Sequence, residues 1–217
     1  MKSTRMLVVC FAVALAPALM AQRWEYGGGA GGGFYTSQDA TSAAGSASTK
    51  IDTNVAGSVW LGNSRADRWG GELRGDFQLG ALQVSQGGTQ ATFAARSYAF
   101  HYDLLWHAAP YGSKIRPFVA VGAGIKVYQG TGAQVLYQPL SQFALLTQAQ
   151  DLTPLISVGG GVKVQLSPRV QLRAELHDYL TTFPKQVITP AEGVKIGGWL
   201  QDFVPMVGIS YTSSEGR

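Results

Sequence analysis

The residues of this chain best suited to chemistry are its three histidines, His101, His107 and His177, and the acids that stand near two of them. His101 and Asp103 are two residues apart, the spacing that puts both on one face of a strand, and Glu175 and His177 repeat it. With Ser157 added, His101 and Asp103 supply a nucleophile, a base and an orienting acid, the residue types of an acyl-transfer relay. Hydrogen bonding inside a polar interior asks less of the fold, and it is the role assigned to these side chains. No local spacing gathers metal ligands. The run Gly27-Gly28-Gly29-Ala30-Gly31-Gly32-Gly33 has the glycine density of a phosphate-cradling loop, but such a loop opens a helix with Lys-Ser/Thr. Here Phe34-Tyr35 continues a strand, so the glycines are assigned to barrel curvature and packing. No catalytic, cofactor or metal site is assigned, and the chain is read as non-enzymatic.

The larger chemical feature is a set of charges that share one parity. Glu25, Asp52, Glu72, Asp76, Asp103 and Glu175 stand against Arg74, Lys126, Lys163 and Arg173, with His101 and His177 on the same side. Buried charges must neutralise one another. If these face inward, they form a polar network that either conducts ions or plugs the interior, and a narrow barrel favours the plug.

These residues are positioned by strands. The chain has 217 residues, of which 28 are glycine, 46% are apolar and 14% charged. So much apolar surface argues against disorder. So much glycine argues against a helical bundle, at about 1 kcal/mol for each helix-interior glycine. Its clustering excludes a collagen repeat. Period-two alternation recurs in eight segments, over 24–35, 51–61, 69–79, 97–106, 119–127, 156–165, 170–177 and 203–211. They exceed ordinary strands and approach the length that crosses a bilayer, about 9–11 residues at a tilt near 45°. Short turns at 63–68, 110–114 and 167–168 alternate with longer loops at 37–49, 85–90, 130–151 and 182–197. Both termini then fall on the short-turn side, the arrangement of outer-membrane barrels. The run at 41–49 reads as a flexible loop tip.

Residues 1–21 read as a secretory signal: Lys2 and Arg5, then an apolar stretch, then Leu19-Met20-Ala21 as cleavage site, with a cut after Ala18 as the alternative. Cys10 lies inside it without the small residues of a lipoprotein site, so the mature chain has neither disulfides nor thiol chemistry. Net charge falls from +4 to +2 on cleavage, which gives no support to nucleic-acid binding. Residues 22–217 form one barrel domain.

Alternation alone does not say which face is inside. Three features favour apolar residues outside: the paired charges, the glycines at 27, 29, 31, 33, 122, 124, 159 and 161 that make room beside long side chains, and the aromatics Trp24, Tyr26, Phe34, Trp69, Trp106 and Tyr211 near strand ends. The expected fold is all-β, an eight-stranded antiparallel up-and-down transmembrane β-barrel.

The run Arg116-Pro117-Phe118-Val119-Ala120-Val121-Gly122-Ala123-Gly124, and the stretches Gly159 to Val164 and Leu172 to Tyr179, resemble the bacterial outer-membrane barrel family of the OmpA transmembrane domain and OmpX. The resemblance implies an outer membrane of the Gram-negative type, contact with its lipid and insertion by the barrel-assembly machinery. Such chains commonly end on an aromatic residue, whereas here Tyr211 is followed by six more residues. Lipid A deacylases of this barrel type carry His-x-Ser on one strand; His101-Tyr102-Asp103 and His177-Asp178-Tyr179 depart from that. The function implied is a monomeric membrane anchor whose loops 130–151 and 182–197 meet a surface ligand, with Tyr137, Phe143, Leu145 and Leu146 as apolar contact positions. A lipid-modifying enzyme, a small pore and a soluble barrel holding a hydrophobic ligand are the alternatives.

Overall fold

A computed structural model describes residues 23–42, 45–52, 54–64, 67–135 and 137–213. The expected signal segment 1–21, with Cys10, lies outside the described residues. Twelve strands follow in order: β1 (Arg23–Tyr35), β2 (Gln38–Ser42), β3 (Gly45–Ile51), β4 (Asn54–Ser64), β5 (Trp69–Gln86), β6 (Thr89–His107), β7 (Ile115–Gly130), β8 (Ala144–Leu146), β9 (Gln150–Gln165), β10 (Val170–Thr182), β11 (Ile188–Pro190) and β12 (Trp199–Thr212). Eight of them form a closed antiparallel ring, β1-β4-β5-β6-β7-β9-β10-β12, with β12 returning to β1 from Glu25 opposite Thr212 to Tyr35 opposite Asp202. Closure leaves the eight-stranded ring without an unpaired edge.

Along the half that carries both termini, the eight strands are inside out relative to a water-soluble barrel. Leu73, Phe100, Val119, Ile156 and Val207 are exposed, while Arg74, Lys126 and Arg173 are almost wholly buried. On β6 the outward apolar residues run from Trp106 through Tyr98, and the next outward position is Arg96. On β5 the facing row runs from Trp69 to Leu79, ten residue steps, which at about 3.3 Å each and the usual tilt give an apolar band about 25 Å tall.

The other half is the right way round. Ile51, Leu82, Val84, Phe93, Phe143, Leu146, Val187, Ile188 and Leu200 pack into an apolar cluster above the charged interior. Two sequence expectations change here. The segment 85–90 is not a long loop: β5 and β6 run on to 18 and 19 residues and close in a tight turn over Gly87-Gly88, both at positive φ. Residues 41–49 are not a flexible tip but belong largely to the hairpin of β2 and β3, which β3 joins to β5 at Ile51 opposite Leu82. Ile51 accordingly faces the apolar cluster rather than the outside.

Candidate functional site: the charged lumen

The interior is filled from one end to the other by side chains that the alternation turns inward. At the terminus-bearing end Lys163 Nζ donates to Glu25 Oε2 at 2.6 Å. The next level centres on Arg173, which donates to Glu72 through Nη1 and through Nη2 (3.0 Å to Oε1), and through Nε to Glu175 Oε2 at 2.6 Å. Arg74 donates to the other oxygen of Glu175 and lies 3.4 Å from Glu72. The two guanidinium groups flank one ring: Arg173 stands 4.8 Å and Arg74 5.1 Å from the centroid of Trp60. Trp60 crosses the lumen with Nε1 donating to Ser210 at 3.1 Å. A Cβ at Gly27 would lie 2.8 Å from that indole, and one at Gly208 2.6 Å. Those two glycines are what admit it.

Above this level the histidines join carboxylates. His101 Nδ1 is 3.0 Å from Asp103 and its Nε2 is 3.0 Å from Asp76, an arrangement that calls for a hydrogen on both nitrogens. Tyr179 donates to Asp76 at 2.8 Å. His177 Nε2 is 3.4 Å from Glu175, and its Nδ1 is 3.3 Å from Ser157. The topmost charges are Lys126 and Asp202, 2.5 Å apart, with Gln78 donating to the same carboxylate oxygen at 2.7 Å. Lys126 also faces the rings of Tyr35, Tyr128 and Tyr179 at 4.8 to 5.4 Å.

All eleven residues of the sequence-derived network, Glu25, Glu72, Arg74, Asp76, His101, Asp103, Lys126, Lys163, Arg173, Glu175 and His177, are buried in this column. Asp52 is not: it stands 3.6 Å from Lys50 on the loop side, half exposed. Asp202 takes its place as the sixth buried carboxylate. It was missed because the eighth segment was begun one residue too late, although Asp202, Val204 and Met206 share the inward parity of β12. Trp60 was missed because an aromatic inside a polar lumen contradicts the parity rule; only the glycines around it announce it.

Four inward glycines each face a large polar partner in register. Gly122 lies opposite Asp103, Gly124 opposite His101, Gly159 opposite His177 and Gly161 opposite Glu175. A Cβ at any of them would come within 3 Å of that partner's side chain.

The arrangement does not assemble the acyl-transfer relay. Ser157 turns to His177 rather than His101, and Asp103 approaches the same nitrogen of His177, Nδ1, at 3.9 Å. A relay places the nucleophile and the orienting acid on opposite ring nitrogens, so Asp103 does not orient His177 for Ser157. Glu175 is the acid on the other nitrogen, 3.4 Å from Nε2, but it makes no hydrogen bond there, and its two oxygens are taken by Arg74 and Arg173. What the column does chemically is neutralise charge in a space with little room for water, a balance that gains little net stability but makes loss of any one partner costly.

No protein-family model matches the sequence, and no curated protein matches it closely enough to count as a relative. Solved structures do match in shape. Neisserial surface protein A aligns over 87% of this chain and 96% of its own with a TM-score of 0.53 and 10% identity. The outer membrane protease OmpT of Escherichia coli covers 88% and 97% at 0.49 and 8%. The N-terminal β-barrel domain of Pseudomonas aeruginosa OprF covers 89% and 98% at 0.40 and 14%. At these identities the likeness is one of fold. The chain is an eight-stranded antiparallel transmembrane β-barrel.

Proposed function

We propose that this protein is a monomeric, non-enzymatic anchor in a Gram-negative-type outer membrane, exported by the segment 1–21, inserted by the barrel-assembly machinery and surrounded by outer-membrane lipid. The observation that carries the reading is the inversion of the lower barrel, with hydrocarbon outside and paired charge inside. In water that exposed band would far exceed the apolar patches that soluble monomers present, about 300–600 Å². Among the described residues the lower lumen is filled by paired charges rather than lined with hydrocarbon, which argues against a soluble carrier. It is also filled at every level and capped above by the apolar cluster, which argues against a pore.

The anchored part is a compact head rather than a set of loose loops. Two long connections meet as a small sheet, β8 with β11, and fold inward. Phe143 and Leu146 are therefore buried in the head and are not contact positions, whereas Val135, Tyr137 and Leu145 remain exposed. A surface ligand would meet this part of 130–151, together with the polar tip of 182–197. The test is membrane fractionation with heat-modifiable gel mobility, followed by Tyr137→Cys and labelling of intact cells with a membrane-impermeant maleimide. A folded, membrane-bound and labelled protein is expected; a protein soluble without detergent would overturn the reading.

A further inference from the structure

The outward side chains near the terminus-bearing end do not form an even wall. The register sets them in rows: Trp69 opposite Trp106, Trp106 opposite Val119, and Val119 opposite Gly160. The row above runs through Gly71, Leu104, Val121 and Val158. Two indoles stand on one side; Gly160 presents no side chain beside Val119, and the Tyr102 ring lies over Gly71 at the upper corner. The result is a trough of about 540 Å³ whose walls are Trp69, Leu104, Trp106, Val119, Val121 and Val158. That is the size of a small-ligand site, about 300–1,000 Å³, but its lining is almost all hydrocarbon.

A positive rim lies directly below. Arg68 precedes Trp69, and its Nη1 donates to the carbonyl of Ala108 at 2.7 Å, which fixes an exposed guanidinium at the foot of the tryptophan pair. Lys114, also exposed, immediately precedes the strand that carries Val119. Arg23 joins the near side, 4.0 Å over the ring of Tyr111 in the same connection as Ala108 and Lys114, and Arg169 continues the rim on its far side, donating to the Tyr211 hydroxyl at 3.2 Å. Among the described residues, the one exposed acid on this rim is Asp67.

We propose that trough and rim together form a binding site for one anionic phospholipid, with an acyl chain along Trp69, Trp106 and Val119 and the phosphate at Arg68 and Lys114. The proposal rests on the membrane reading above, and its test separates the two. Neither half suffices alone: any lipid chain wets an apolar wall, and any anion approaches an exposed arginine. Their stacking along one line selects a molecule with both parts.

The full chain is folded into phosphatidylcholine vesicles containing one-fifth phosphatidylglycerol, with bromine on the acyl chains of one lipid or the other, and tryptophan quenching is read. Failure to insert, seen as unshifted gel mobility, overturns the membrane reading. Given insertion, bromine on phosphatidylglycerol should quench more than its mole fraction predicts, with a local enrichment of about fivefold per cation engaged. R68Q/K114Q should remove that excess, and V121F, which fills the trough without touching charge, should reduce it. R169Q, on the far side of the rim, should leave it intact. Quenching in proportion to mole fraction overturns the site. So does an excess that R169Q abolishes as fully as R68Q/K114Q, or a Val121→Cys protein that cross-links to a second copy.

Discussion

Replacing Arg173 by Met tests whether the lumen is held by charge pairing or merely filled. The Met side chain follows the arginine stem and keeps much of its packing against Trp60 and Phe118, so the loss is mainly ionic. Three carboxylates feel it unequally. Glu25 keeps Lys163 at 2.6 Å, and Glu175 keeps Arg74 and the His177 ring at 3.4 Å. Glu72 keeps only Arg74 Nε, 3.4 Å away and without a hydrogen bond. It becomes a buried carboxylate almost without a partner, and breaking a buried pair in this way costs about 3–5 kcal/mol. A second change, E72Q, removes the orphaned charge and should recover about 2 kcal/mol. D103N in the same background should recover nothing, because Asp103 faces His101 and His177 and makes no contact with Arg173. Urea titrations in phospholipid vesicles, read by tryptophan fluorescence and gel mobility, supply the double-mutant cycle. A cost below about 1 kcal/mol for R173M would refute the pairing argument. Equal rescue by E72Q and D103N would show that only net charge matters and that the specific geometry does not.

The band, the glycines and the head each give a further test. Leu73→Arg puts a charge on the outer face near mid-band and should cost about 2–4 kcal/mol in vesicles, whereas Thr92→Arg on the outer face of the head should cost almost nothing. Gly124→Ala would bring a Cβ within 2.0 Å of the Phe100 carbonyl and 2.5 Å of His101, and should cost about 1–3 kcal/mol or more in the same titration. Gly57→Ala meets nothing nearer than 4.0 Å and should be neutral. Phe143→Ala empties a buried position of the head and should cost about 3–5 kcal/mol locally, seen as cleavage of 131–149 by added protease while the membrane-embedded strands stay protected.

The lower barrel is legible because its outward parity is apolar and its buried charges share the inward one, although Trp60, Phe118 and Met206 also turn inward. That parity places Arg74, Lys126, Lys163 and Arg173 inside without any knowledge of their partners. It does not say which carboxylate meets which cation, because that depends on the register between strands. The glycines hold part of that information: those at 122, 124, 159 and 161 each mark the position facing a large inward group on the adjacent strand. Read pairwise rather than as general elbow room, they would have set the registers of β6 with β7 and of β9 with β10. Register also decides the partner of Ser157, since His101 and His177 share its parity and only register separates them.

The head was misread for a different reason, and it is the more instructive one. On β5 the apolar residues occupy odd positions through Leu73, Phe77 and Leu79, then even ones at Leu82 and Val84. On β6 they occupy odd positions at 91, 93 and 95 and even ones from Tyr98 to Trp106. A one-residue slip would produce such a reversal in an ordinary sheet. No slip occurs: Trp69 opposite Trp106 and Gln86 opposite Thr89 belong to one uninterrupted register. The strands pass straight through, and it is the surroundings that change. Below Gly80 and Arg96 the outside favours hydrocarbon, so charge turns inward and must be paired. Above them the outside favours polar groups, so hydrocarbon turns inward and forms an ordinary core. A reversal of hydrophobic parity within one continuous strand therefore marks a boundary between solvents. It places the outer edge of the membrane band near Leu79 and Arg96, in register opposite each other, and it makes the head a water-facing barrel built on the same strands as the anchor.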